Sequence, residues 1–302
     1  FLMNQKIKKI LISGGTGEIG SFLAEKLYDK YNIVLLGRQI KSDRVNKLVQ
    51  LGKIAFVEWD ITKKHINKTE ISDIDCLIHL AGYVKESRDI NDAKELIEAN
   101  VFGTANILRS LPNLSSVVFA SSCSVYGSEK DQFDENCLTK PNGYYAASKA
   151  AAEKMLGLHC EDNNIKLCIL RISSVYSPLN YSFNTKRAIQ IFAESIEKEQ
   201  LITIFGNGTN KRDYIFLEDA VDGIIWGMNQ QGIFNISTGE PVSLNKVIDI
   251  LSKISGKEAQ IKYIKNFKQL DYNYSSDKAF KLGFSAKIPI EIGLNRVHRS
   301  VK

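Results

Sequence analysis

Short apolar runs punctuate the chain, and between them apolar positions return every three or four residues. The runs at 7–12, 33–36, 54–59, 76–80, 117–120, 167–170 and 233–236 predict strands. Several are unbroken Val/Ile/Leu-rich segments with no polar alternation, the pattern of strands covered on both faces. The stretches between them, such as 22–27 and the alanine-rich run after Tyr145, read as helices. Strands alternating with helices predict an α/β fold, a Rossmann-type doubly wound parallel sheet with right-handed crossovers. On such a sheet, ligands sit at the carboxyl ends of the strands.

After Arg171 the rhythm changes. Pro178, Asn180 and Asn184 mark a loop, 186–199 reads as a helix, and Gly206-Asn207-Gly208 reads as a turn. Ser243 is placed to cap a helix ending at Ser255, with Gly256 as its stop. The expected division is a dinucleotide-binding domain over 3–178, to which 214–240 return, and a smaller substrate-binding lobe from 179–213 and 241–302. A chain of 302 residues can bury a core of that size.

The first apolar run ends in Ser13-Gly14-Gly15-Thr16-Gly17-Glu18-Ile19-Gly20, and a helix pattern follows at once. Strand, glycine turn and helix form the cradle of a pyrophosphate. Gly14, Gly17 and Gly20 let the backbone approach, and the amides of Glu18, Ile19 and the rest of the first helical turn meet the charge. The end of the second strand carries Arg38, with Lys41 and Arg44 close behind and no carboxylate before Asp43. An acidic residue there bonds the ribose 2′-hydroxyl of NAD, whereas Arg accommodates the 2′-phosphate of NADP, so NADP is favoured over NAD.

Composition narrows the class. A hydrophobic fraction of 44% and a charged fraction of 25% are ordinary for a globular enzyme. The net charge of +6 is modest and scattered, which does not argue for a nucleic-acid partner. Of the cysteines, Cys76, Cys123, Cys137, Cys160 and Cys168, none forms a CxxC pair, and Cys76 and Cys168 lie inside apolar runs. Reduced, buried thiols fit a reducing compartment. His65, His79, His159 and His298 lack metal-ligand spacing, so no metal is expected. No signal-peptide pattern precedes the first strand, and no apolar run approaches the roughly 18 residues of a membrane span. The expectation is a cytoplasmic protein with no membrane partner.

Tyr145-Ala146-Ala147-Ser148-Lys149 places a phenol and an ammonium four residues apart, on one face of the predicted helix. The ammonium favours the phenolate, which suits the phenol to exchange protons with a carbinol near neutral pH. Tyr126…Lys130 and Tyr274…Lys278 share the spacing. Only the Tyr145 copy opens a long helix and follows a strand ending in Ala120-Ser121-Ser122.

With these motifs the chain resembles the extended short-chain dehydrogenase/reductases of the nucleotide-sugar epimerase/dehydratase type, over nearly its whole length. The likeness is carried by the glycine turn; Asp60-Ile61; His79-Leu80-Ala81-Gly82; Asn100 with Gly103-Thr104; Ser121 through Gly127; and Tyr145…Lys149. It continues through Leu170-Arg171, Arg212-Asp213-Tyr214, Asp219 and Phe234-Asn235-Ile236. The tail adds Asp277-Lys278-Ala279, Leu282-Gly283-Phe284 and Gly293-Leu294. The resemblance implies Tyr145 as acid/base, Lys149 as holder of the nicotinamide ribose and Ser122 as the hydroxyl that orients the substrate oxygen. It implies that Asp60 and Ile61 border the adenine, and that Leu80, Ala81, Gly82 and Asn100 line the diphosphate and ribose side. Ser124, Ser174 and Arg212 fall to the substrate, Arg212 at its diphosphate. It also implies a homodimer joined by a four-helix bundle from helices near 95–111 and 145–159.

Three departures concern the substrate side. Ser174 stands where such enzymes usually carry Asn, Ser177 where a glycine is usual, and Leu270-Asp271-Tyr272-Asn273-Tyr274 offers no second arginine. Cys123-Ser124 replaces the Asp-Glu pair that a 4,6-dehydratase needs. The leading expectation is a nucleotide-sugar 4-epimerase passing through a 4-keto intermediate. An NADPH-dependent 4-keto-sugar reductase is the alternative, and a catalytically silent NADP sensor or scaffold is a third reading.

Overall fold

The structure is a computed structural model that describes residues 7–63, 66, 69–85, 88–128, 132–179, 187–264 and 271–302. His65, Lys130, Asn180, Asn184, Lys186 and Leu270 of the sequence readings lie outside the described residues. The strands are β1 (Lys9–Ser13), β2 (Asn32–Gly37), β3 (Ala55–Glu58), β4 (Cys76–His79), β5 (Ser116–Ser122), β6 (Lys166–Ile172) and β7 (Ser174–Tyr176). They continue as β8 (Ile202–Phe205), β9 (Lys211–Arg212), β10 (Tyr214–Phe216), β11 (Gly232–Ile236), β12 (Val242–Ser243) and β13 (Ile261–Ile264). The helices are α1 (Glu18–Leu27), α2 (Asp43–Gln50), α3 (Ala93–Ile97), α4 (Gly103–Arg109) and α5 (Tyr144–Asp162). They are followed by α6 (Ala188–Glu197), α7 (Leu217–Gly227), α8 (Leu244–Ser255), α9 (Asp277–Lys281) and α10 (Ile290–Val301).

Every one of the seven apolar runs forms a strand of one seven-stranded sheet, in the order β11-β6-β5-β4-β1-β2-β3. Pairing is parallel from β3 through β2, β1 and β4 to β5. β1 lies between β2 and β4, so the crossovers leave it in opposite directions. The ligand crevice of a doubly wound sheet opens at that reversal, here at Ser13 and His79, which are register partners.

The chain divides into two compact units. The first runs to Gly127 and takes up Thr139–Arg171 and Ile224–Ile233; the second holds Ser128–Leu138, Ile172–Gly223 and Phe234–Lys302. The core of the first is built by strand and helix side chains such as Leu11, Val34, Leu77, Phe119 and Leu156. The second has its own core, with Tyr176, Phe192, Phe216, Leu251 and Leu294.

Local chemistry explains the element ends. Ser243 Oγ accepts from Lys246 N–H at 3.2 Å at the start of α8, and Gly256 closes it with φ of +72°. Its apolar stripe of Val247, Ile248, Ile250 and Leu251 is buried. One feature has no trace in the pattern: residues Glu98–Phe102, between α3 and α4, form a π-helical turn. Such turns concentrate at functional sites. Cys76, Cys123, Cys160 and Cys168 are buried free thiols. Among the described residues no helix is long and apolar enough to cross a membrane.

Candidate active site

Gly14 follows β1 with φ of +67°, and a Cβ on it would stand 2.8 Å from Ala81 N and 2.9 Å from Ala81 Cα. The turn and the segment after β4 therefore press together, backbone on backbone. A Cβ on Gly20 would lie 2.4 Å from Gly14 O, so the turn also packs directly on the first turn of α1. That helix begins at an extended Gly17 with no side-chain cap. Its N-terminal amides suit an anion, and the glycine cradle admits one, so these residues fit a dinucleotide pyrophosphate.

Next to it, Trp59 N–H donates to Gly37 O at 2.9 Å, which brings Arg38 and Asp60 to neighbouring strand ends. Partial burial pushes the Asp60 carboxyl up. Hydrogen bonds from Thr62 N–H and hydroxyl, with the charges of Arg38 and Lys63, outweigh this and hold it below its ordinary value. Arg38 is exposed. Arg44, expected to serve the same corner, pairs with Glu25 of α1 at 3.3 Å. Ile61 is buried against Gly103, and its carbonyl accepts from Asn106 Nδ2 at 2.9 Å.

The catalytic candidates gather at the ends of β4 and β5 and the start of α5. Ser122 closes β5, where its Oγ accepts from Ser124 N–H at 3.2 Å. Ser124 Oγ is buried and has no partner among the described residues. Tyr145 stands in the first turn of α5. Lys149, one turn on, is buried with Nζ 4.2 Å from the centre of the Phe119 ring, which itself lies 5.4 Å from His79. The ammonium thus lies over β5, at the register partner of His79. Asn100, expected on the coenzyme side, takes Tyr83 N–H on Oδ1 at 2.7 Å. Its Nδ2 donates to Tyr83 O at 3.0 Å and Ser148 Oγ at 2.8 Å. Both amide protons being engaged, Asn100 clamps the backbone after Gly82 onto α5.

Burial pulls Lys149 down to about 8, against the opposing charge of Glu153. In an unfolded chain lysine titrates near about 10.4. Below pH 8 the group is charged in both states, and only the folded state bears the desolvation. Between the two values the folded state releases its proton first, so stability rises with pH there. Lys149→Met is therefore expected to raise the melting temperature at neutral pH, with the gain shrinking as pH climbs above 8. Calorimetry across that range checks this, and a variant that melts below the wild type at neutral pH refutes it.

Sequence reasoning missed the partner of that lysine. Glu153 is buried one turn beyond Lys149 and is gripped by Arg171, with Nη2 2.7 Å from Oε2 and Nε 3.1 Å from Oε1. Ser121 Oγ also donates to Glu153, and the Arg171 guanidinium lies over Tyr126, 4.7 Å from the ring centre. The available signal was spacing: Tyr145, Lys149 and Glu153 fall at successive intervals of four on one helical face.

In the second unit, Ser174 opens β7 and its N–H donates to Asp213 O at 3.1 Å. Arg212, on β9, lies over Tyr272 at 5.1 Å from the ring centre. Its acidic neighbours are occupied elsewhere. Asp213 accepts from Ser173 Oγ, Thr238 N–H and hydroxyl, and Gly239 N–H; Asp219 accepts from Lys287 and Ile288 N–H. No carboxylate among the described residues pairs with Arg212. Ser177 is fully buried and packed against Gln190.

A doubly wound sheet with a glycine cradle at its reversal point, and a Tyr–Lys turn beside a serine-ended strand, defines a dinucleotide-dependent enzyme of the extended short-chain dehydrogenase/reductase class. The sequence pattern of the NAD dependent epimerase/dehydratase family matches residues 10–237, and the chain belongs to that family. It is 29% identical over 303 residues to the UDP-glucuronate 4-epimerase of Thermodesulfobacterium geofontis, covering 96% of this chain and 90% of that one. It is 26% identical over 312 residues to the dTDP-D-glucose 4,6-dehydratase of Mus musculus, covering 96% and 87%. Among solved structures, the UDP-glucuronic acid 4-epimerase from Bacillus cereus in complex with UDP-glucuronic acid and NAD superposes with a TM-score of 0.84. The identity is 25%, over 97% of this chain and 98% of that one.

Proposed function

We propose that the protein is a 4-epimerase of UDP-hexoses or UDP-hexuronates. The observation that carries this reading is the Tyr145–Lys149 turn of α5, its ammonium buried against Phe119 of the strand that ends in Ser122. The bound dinucleotide supplies reversible hydride acceptance at the sugar carbon. Tyr145 takes the proton of the C4 hydroxyl and returns it, while Lys149 stabilises negative charge on the phenol oxygen. Ser122 orients the sugar oxygen, and Ser124, whose hydroxyl has no partner among the described residues, takes a further substrate hydroxyl. Arg212, preset on Tyr272 and paired with no carboxylate among the described residues, has the chemistry to take a diphosphate.

Elimination of water is disfavoured, although dehydratases are among the relatives. Cys123 is buried with its thiol donating to Arg171 O at 3.1 Å, and Ser124 offers no carboxyl. The test is to incubate the protein with UDP-sugars in the absence of added reductant. Pairs of C4 epimers support the reading. Stoichiometric NADPH loss with a keto sugar replaces it with a reductase, and no turnover with either dinucleotide favours a silent sensor.

NADP preference rests on Arg38, while the Bacillus cereus complex contains NAD. If Arg38 receives a 2′-phosphate, Arg38→Asp shifts the ratio of NADP to NAD dissociation constants toward NAD by roughly 10- to 100-fold, the worth of one charge-assisted contact. Titration calorimetry with both dinucleotides decides it, and an unchanged ratio removes Arg38 from coenzyme choice.

We also propose a homodimer through a four-helix bundle of the α3–α4 stretch and α5. Ile97, Phe102 and Leu158 on these elements are 43%, 61% and 58% exposed, large apolar side chains that a partner subunit would cover. Phe102→Glu combined with Leu158→Glu is expected to yield a monomer in light scattering. A wild-type chain already monomeric at micromolar concentration rejects the dimer.

A further inference from the structure

The sheet's reversal point holds a histidine for which the proposed reaction has no use. His79 is fully buried at the end of β4, beside Ser13 of β1, and both its nitrogens are bonded. Nδ1 lies 2.6 Å from Ser13 Oγ and Nε2 lies 2.8 Å from Thr104 Oγ1. The neighbours decide the direction of each bond. Thr104 gives its one hydroxyl proton to Asn100 O at 2.7 Å, a carbonyl that can only accept. Thr104 must therefore accept from His79, which puts the ring proton on Nε2. Ser13 Oγ already accepts Ala81 N–H at 3.3 Å, and its own proton goes to Nδ1. The ring that satisfies every partner is the neutral Nε2–H tautomer. Burial and the nearby Lys149 charge agree, holding the ring down to about 3.

From Thr104 the chain of bonds continues. Asn100, in the π-helical turn, reaches Ser148 Oγ at 2.8 Å, and Ser148 Oγ donates to Tyr145 O at 2.8 Å. Ser13, His79, Thr104, Asn100 and Ser148 are all buried. A sealed and fully satisfied polar network is rigid, and loss of one member leaves its neighbours unsatisfied.

We propose that His79 is a positioning residue that couples the coenzyme turn at the end of β1 to the Tyr145 turn of α5, through Thr104, Asn100 and Ser148. The coupling rests on the reading of Tyr145 as acid/base and of the glycine turn as the dinucleotide cradle. It sets the carbonyl of Tyr145 and the backbone at Ala81, against which Gly14 packs, from a single imidazole. A displacement at Thr104 is thereby felt at Ser13, to which the ring joins it directly.

Three measurements on the full chain test this. Histidine-selective 15N NMR should show His79 as an Nε2–H imidazole that does not titrate through the neutral range. An Nδ1–H or doubly protonated ring overturns the proposal. Thr104→Val keeps the shape and removes the hydroxyl. It is expected to weaken NAD binding by roughly five- to tenfold, the worth of one buried hydrogen bond, and to lower kcat. Thr104→Ser should restore both. A valine variant that loses only melting temperature, with NAD affinity intact, overturns the coupling. A wild-type chain that binds no dinucleotide marks failure of the functional reading instead. The coupling is then judged by a double-mutant cycle of Ser13→Ala and Thr104→Val on unfolding free energy. Non-additivity between these two non-contacting positions supports it and additivity overturns it.

Discussion

Tyr145→Phe is expected to lower kcat for C4 interconversion by roughly 10²- to 10⁴-fold, the range for losing one positioned acid/base, with NAD affinity unchanged. The lesion is confined to one oxygen. The ring remains in the first turn of α5, and the Tyr145 carbonyl still accepts Ser148 Oγ at 2.8 Å, so the backbone anchor of that turn is untouched. Lys149 keeps its place over Phe119. No folding defect is therefore expected, and a comparison of melting curves checks that. Calorimetric NAD titration separates chemistry from binding. A phenylalanine variant that retains a large part of the wild-type rate moves the acid/base to another residue and removes the mechanism proposed for this site.

The sheet was legible because its strands are covered on both faces. A buried strand needs an unbroken apolar run, and Ile10-Leu11-Ile12 or Leu77-Ile78 can hardly be anything else. The glycine turn was legible for a related reason, since no side chain fits at Gly14 or Gly20. The two-stranded sheets of the second unit hid their strands. β9 and β12 are two residues each, held by their partner rather than by any pattern of their own. β8 alternates buried Ile202 and Ile204 with Thr203 and Phe205, but Phe205 is both apolar and exposed, which blurs the period. The π-helical turn at Asn100 inserts no special residue, so nothing in the letters announces it. The site was legible where chemistry has a fixed spacing, as at Tyr145 and Lys149. It was illegible where a charge is hidden. Glu153 shares the helical face of Tyr145 and Lys149, but its spacing alone does not show that Arg171 reaches it from β6.

That hidden pair carries the second large effect. Arg171→Met is expected to destabilise the protein by about 3–5 kcal/mol, because it strands the Glu153 carboxylate in the interior with Ser121 as its remaining side-chain donor among the described residues. The double replacement Glu153→Leu with Arg171→Met removes both charges at similar volume. It should recover most of that loss, since desolvation of a buried pair roughly cancels its attraction. The double variant then separates the pair's structural role from its electrostatic one. Glu153 opposes the desolvation of Lys149, so removing its charge lets the ammonium fall below its present value of about 8. The sign follows: Lys149 loses its proton at lower pH, and the alkaline decline of turnover moves toward neutrality. Urea melts measure the stability arm and pH–rate profiles the other. Arg171→Met as stable as the wild type makes the pair dispensable for folding, and a double variant with an unmoved alkaline limb shows that Glu153 does not govern the charge of Lys149.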